Sequence, residues 1–314
     1  MTTTHRTRRS VLAAAGSLGA AALAGCTASG ARAQTSVLSA GSLAVVFTET
    51  VGPAFEAATP YGFRGEYYGS GAVMRMVTSG QQSPDVVVSA DARLLRDALE
   101  RRPNPLATWD VVFASNEIGI TYAPGTELGR RLASEGGEPW YEALRDADAE
   151  IARTDPDLDP LGYRTVMLFE LAERYYDEPG LAADLGGNLV VDPSEAHLLA
   201  AVETGDRAAA VSYKNMAVDH DLPFLSLPAR LNFSSPRYAE YYATATYTME
   251  SGTTVRGRPI LYNATVPVDA PEETAGERFL SFLLRHPDVL EHNGLTVPAG
   301  FPRPHGDVPA EVMP

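Results

Sequence analysis

The chain has 314 residues, 45% of them apolar, with 40 acidic against 25 basic side chains and a formal net charge of −15. That length fits two domains, and the apolar content excludes a disordered chain. The acid excess excludes both a nucleic-acid binder and a polybasic membrane-surface binder, since each needs a basic face.

Residues 1–26 read as an export signal. Met1–Arg9 holds three arginines and no acid, and Arg8-Arg9 precede an apolar, small-residue run from Val11 to Gly25. The arginine pair marks a twin-arginine signal. The run, roughly 15 residues, falls short of the roughly 20 that span a bilayer. It ends in Leu23-Ala24-Gly25-Cys26, a lipobox-like sequence in which Cys26 would take a lipid. The alternative is a signal with an incidental cysteine. Cys26 is the only cysteine, so an intrachain disulfide is excluded. Residues 27–35, rich in Ser, Ala and Gly, read as a flexible tether. No second apolar run of spanning length follows, so the expected product is exported in full and held at the outer face of the membrane.

Short apolar runs then alternate with helical periodicity. Strands are expected at Ser36–Ser39, Pro60–Tyr68, Asp85–Ser89, Val111–Phe113, Glu117–Tyr122, Ile151–Arg153, Leu189–Val191, Ala208–Ser212 and Pro259–Val266. Helices are expected at Leu43–Ala58, Ala72–Ser79, Ala92–Glu100 with Asp91 as N-cap, Trp140–Arg145, Gly162–Tyr176, Pro193–Thr204 and Glu273–Arg285. The Pro/Gly-rich tail from Pro298 reads as irregular. This β-turn-α rhythm predicts an α/β fold of two lobes, each an open sheet flanked by helices. The expected boundaries are 36–113 plus about 259–314 for lobe 1 and 114–258 for lobe 2.

Two strand-to-helix junctions carry Gly beside Ser: Gly41-Ser42 and Gly69-Ser70. Free N–H groups and a hydroxyl at a helix start can cradle an anion. Ser is also a common N-cap, and spacing alone leaves both readings open. The loop Arg153–Arg164 alternates Asp155, Asp157 and Asp159. Pro160 and Val166 occupy the positions where a calcium loop needs Gly and Glu, so calcium is not expected. G-x-S-x-G, H-E-x-x-H, Walker A and G-x-G-x-x-G are all missing, which argues against an enzyme and against a resident metal or cofactor.

Ser39-Ala-Gly-Ser42-Leu, Gly69-Ser70, Pro84–Asp91, Phe113–Glu117, Arg153–Arg164, Tyr213–His220 and Pro259–Tyr262 follow one another in an order known from one family. The sequence resembles the molybdate/tungstate-binding proteins of ABC importers, in the archaeal tungstate-type branch, from about Ser36 to Leu295. The resemblance implies a type II periplasmic-binding-protein fold that closes on a tetrahedral oxyanion, molybdate or tungstate. Carried over by position, Ser42 and Ser70 supply hydroxyls. Asp159, favoured over Asp155, and the backbone N–H of Leu161 belong to the Pro-braced loop. Glu195 supplies a backbone N–H at a helix start, and Tyr213 a hydroxyl. Ser212 stands where the archaeal branch often carries a glutamate, which implies a four-coordinate anion held by hydrogen bonds. The implied partners are an ABC permease and its ATPase, and a monomer anchored to the membrane through lipid. A sulfate binder of the same fold is the alternative. A net negative chain with a single lysine, Lys214, also resembles proteins adapted to high salt.

Overall fold

The computed structural model describes residues 32–134 and 139–314. The expected signal and Cys26 lie outside the described residues, as does most of the expected tether. Gln34 and Thr35, assigned by sequence to that tether, already belong to the first strand. Among the described residues no helix is long and apolar enough to cross a membrane.

Thirteen strands are described. In chain order they are β1 Gln34–Ala40, β2 Gly62–Tyr68, β3 Val86–Ser89, β4 Trp109–Ser115, β5 Ile118–Tyr122, β6 Ile151–Arg153 and β7 Leu189–Val191. There follow β8 Ala209–Tyr213, β9 Phe224–Ser226, β10 Thr246–Thr248, β11 Thr254–Arg256, β12 Leu261–Thr265 and β13 Arg303–Gly306. They form a six-stranded sheet in the order β13-β4-β12-β3-β1-β2, a five-stranded sheet in the order β7-β6-β8-β5-β9, and the hairpin β10-β11. Helices flank both sheets, as the α/β expectation requires. β3 and β4 are buried along their whole length, because helices cover both faces of their sheet. The Glu273–Arg285 helix covers one face through Phe279, which meets Phe47 and Phe55 edge-on at 5.7 and 5.4 Å.

The topology places the site. β1 runs parallel to both β2 and β3, and Ala40 lies level with Tyr68. Ser42 and Ser70 therefore leave the first sheet side by side, with Asp91 just beyond β3. In the second sheet β6 runs parallel to β7 and β8. The chain after their carboxyl ends carries Asp159 and Glu195, while Tyr213 ends β8 itself. Ligands of open α/β sheets bind outside these ends. The chain crosses from the first sheet to the second at Asn116-Glu117, between β4 and β5.

Several expectations are corrected. The tail is not irregular throughout: Arg303–Gly306 pairs antiparallel with Trp109–Val112 at the sheet edge. Pro304 hides this strand in the sequence, yet an edge strand tolerates proline because one side needs no ladder bonds. The Leu43–Ala58 helix starts earlier, as a 3-10 turn at Gly41–Leu43, and passes through a π segment at Val46–Val51 before the α-helix Gly52–Ala58. Strands β9, β10 and β11 are additional to those expected.

Candidate functional site

Neither serine is a side-chain cap of its own helix. Ser42 lies inside the 3-10 turn, and its hydroxyl meets the Tyr262 hydroxyl at 3.0 Å. Ser70 opens the Ser70–Thr78 helix behind Gly69, and its Oγ accepts from the Ala90 N–H at 3.0 Å. Both are buried. Of the two readings that spacing leaves open, simple capping by the hydroxyl fails.

Asp159 is the N-cap of the Pro160–Tyr176 helix and accepts from the Leu161 N–H at 2.9 Å. That amide, expected to face a ligand, is thus committed to Asp159. Asp155 accepts from the Asp157 N–H at 2.8 Å and is less buried. Burial pushes the Asp159 carboxyl up to about 6, against the Leu161 amide, Thr154 and Arg164, and Asp155 adds to the rise. Glu195 opens its helix behind the N-cap Ser194. Its carboxyl, not only its amide, faces the cluster. A Cβ on Gly41 would collide with Oε2, which is buried without a hydrogen-bond partner. Burial and the neighbouring Asp159 push Glu195 well above the carboxylate range, although the Ser42 amide and Arg164 pull the other way.

Tyr213 is fully buried, and its hydroxyl accepts from Arg164 Nη1 at 2.6 Å. Ser212 does not join this group. Successive strand residues point to opposite faces, and its hydroxyl pairs with that of Thr121.

The structure adds residues that sequence reading assigned no role. Arg164, 1% exposed, donates to the Ala90 carbonyl at 3.1 Å and pairs with Asp91 at 3.3 Å. Tyr163 donates to the same Asp91 oxygen at 2.8 Å. Burial acts to raise Asp91, but Arg164 and Arg258 outweigh it and hold the carboxyl below its usual range. Burial likewise acts against the Arg164 cation, which Tyr213, Tyr163 and Asp91 keep charged. A buried charge persists only when so paired. The readable signal was an arginine in register with Leu168 and Leu171 on an apolar helix face. Asn116 donates to Asn215 at 2.7 Å and to Tyr262 at 3.2 Å, and Asn215 donates to the Ser42 carbonyl. These bonds tie both sheets to the crossing point.

The result is a buried, donor-rich cluster between the carboxyl ends of two sheets. It offers hydroxyls, carboxamides and one paired guanidinium, together with two carboxyls biased toward the protonated form. Such a shell suits a small anion better than a cation.

Known proteins place the chain. A Thermococcus kodakarensis protein named molybdate/tungstate-binding is 32% identical over 245 residues, covering 71% of this chain and 68% of that one. A Haloferax volcanii protein with the provisional name ABC transporter molybdenum-binding protein is 42% identical over 307 residues, covering 96% and 95%. Among solved structures, the Azotobacter vinelandii periplasmic molybdate-binding protein shares the fold with a TM-score of 0.62 at 15% identity, covering 84% of this chain and 99% of that one. That likeness makes the fold the two-lobed one of periplasmic binding proteins. The family described as bacterial extracellular solute-binding proteins matches residues 35–295, and the chain belongs to it.

Proposed function

We propose that this protein captures molybdate or tungstate outside the cell and hands it to an ABC permease, and that Cys26 carries the lipid that tethers it. What carries the reading is the meeting of Ser42 and Tyr262 with Asp159, Arg164, Glu195 and Tyr213 in one buried, donor-lined place. The names of the Thermococcus and Haloferax relatives supply the ligand class. Lobe 1 is then the sheet containing β1, with its Ser42 and Ser70, and lobe 2 the sheet containing β8, with Asp159, Glu195 and Tyr213. Ser70 joins through Ala90, to which both it and Arg164 are bonded.

Selection against sulfate rests on size. A donor ring fixed by packing around the larger anion leaves sulfate hydrogen bonds too long. Glu195, whose carboxyl burial and Asp159 push well above its usual range, donates a hydrogen bond to the anion's oxygens instead of ligating its metal, and Ser212 supplies no carboxylate, so the bound anion is four-coordinate. Calorimetric titration with sodium molybdate, repeated in a large excess of sulfate, tests the function. Unchanged molybdate affinity is expected, and competition by sulfate would overturn the ligand assignment. X-ray absorption of the loaded protein should show four oxygen neighbours; six would overturn the coordination.

A further inference from the structure

A cavity of about 430 Å³ opens between the Ala92–Leu95 helix and the β10-β11 hairpin. Its floor is Asp91 and Tyr163, the residues bonded to each other and, through Asp91, to Arg164. The cavity therefore ends one ion pair away from the buried cluster. Its rim carries Arg93, Arg256 and Arg258. Arg93 is neutralised by Asp97 at 2.7 Å. Among the described residues neither Arg256 nor Arg258 has an acid at ion-pair distance; Arg258 Nε donates to the Arg256 carbonyl at 3.2 Å. Arg256 is exposed and Arg258 half-buried.

On a chain with a net charge of −15, these two guanidiniums line a cavity beside the buried cluster, and Arg258 also helps keep Asp91 ionised. Their position is held. Asp157 accepts from the Tyr247 hydroxyl at 3.0 Å and from the Glu250 N–H at 2.7 Å, which pins the hairpin to the loop that presents Asp159. The middle aspartate of the alternating trio, which sequence reading left without a role, thus orients the arginine-bearing hairpin. A negative surface repels a dianion at long range, whereas a concave, positively lined mouth concentrates it locally.

We propose that this cavity is the vestibule through which the oxyanion enters, and that Arg256 and Arg258 draw the dianion in from solvent without holding it once bound. The inference rests on the oxyanion-binding reading above and adds the route to that site.

The test is stopped-flow binding of sodium molybdate, followed by intrinsic tyrosine and tryptophan fluorescence, for the wild type, the double variant Arg256→Gln/Arg258→Gln and the double variant Arg256→Lys/Arg258→Lys. Steering of this kind is worth about tenfold or more in association rate. The glutamine variant should associate about tenfold more slowly at low ionic strength, with its dissociation rate within about twofold of wild type. The deficit should close as salt rises toward about 1 M, where the Debye length shrinks to about 3 Å. The lysine variant, which keeps the charge, should associate like wild type. An association rate unchanged in the glutamine variant, or a deficit that salt does not narrow, overturns the vestibule. A wild type that binds neither molybdate nor tungstate at equilibrium overturns the reading of the site, and the vestibule with it.

Discussion

Asp159 shows how one side chain does two jobs. Its Oδ1 caps a 17-residue helix through Leu161, and its carboxyl forms part of the buried cluster. Arg164, Asp155, Thr154, Glu195 and Tyr213 all face it. Its pKa is raised to about 6, so the unfolded chain ionises first as pH climbs. Below about pH 4 both states hold the proton and the residue costs nothing. Between about 4 and 6 the folded state is progressively penalised, and above that the penalty is constant, on the order of 3 kcal/mol at most. Asp159→Asn keeps an N-cap side chain but cannot ionise. Urea unfolding at pH 4, 5, 6 and 7 should show the variant gaining on wild type as pH rises. A constant difference would refute the raised pKa. The sequence made Asp159 legible through its Pro-braced loop. It left Glu195 legible only as an amide, because the direction of a carboxyl depends on Gly41, some 150 residues away in the chain.

At the level of elements, the start of the Ser70–Thr78 helix and the loop before the Pro160–Tyr176 helix come from different sheets and touch. A Cβ on Gly71 would stand 2.7 Å from the Leu158 carbonyl oxygen, closer than a real Cβ contact. That atom is backbone and cannot swing aside, so Gly71→Ala forces the two elements apart. Overpacking of this kind costs about 1–3 kcal/mol. In the proposed capture, closure of the two lobes on the anion brings these elements together, so the strain should fall on ligand affinity. Molybdate affinity by calorimetry should drop about tenfold, while the melting temperature without ligand changes by less than about 2 °C; an equal loss in both would mean that the contact serves folding instead. Elements with a clear apolar run or spacing were readable: β6, β7 and the Trp140–Arg145 and Glu273–Arg285 helices fall where the sequence puts them. Elements fixed by partners were not. β13 exists because β4 offers an open edge, and the hairpin because Asp157 anchors it.

For the molecule as a whole, the same charge acts on stability and on capture, at different ranges. The 40 acids against 25 bases repel one another across the folded surface. Salt shortens that repulsion from a Debye length of about 10 Å at 0.1 M to about 3 Å at 1 M. Buried contacts such as Arg164–Asp91 are shielded from solvent and change little over this range. Stability should therefore rise with potassium chloride, steeply below about 0.5 M and then more slowly as the Debye length flattens. Thermal unfolding from 0.05 to 2 M salt reads this directly. Ligand protection gives an independent check on the buried site. At each salt concentration a fixed molybdate excess should add a further rise set by the ratio of ligand to Kd. The increment should shrink only modestly, by about the tenfold in Kd that screening of Arg256 and Arg258 removes, even as the baseline climbs. An increment that collapses at high salt would instead place the anion on the surface, where screening reaches it.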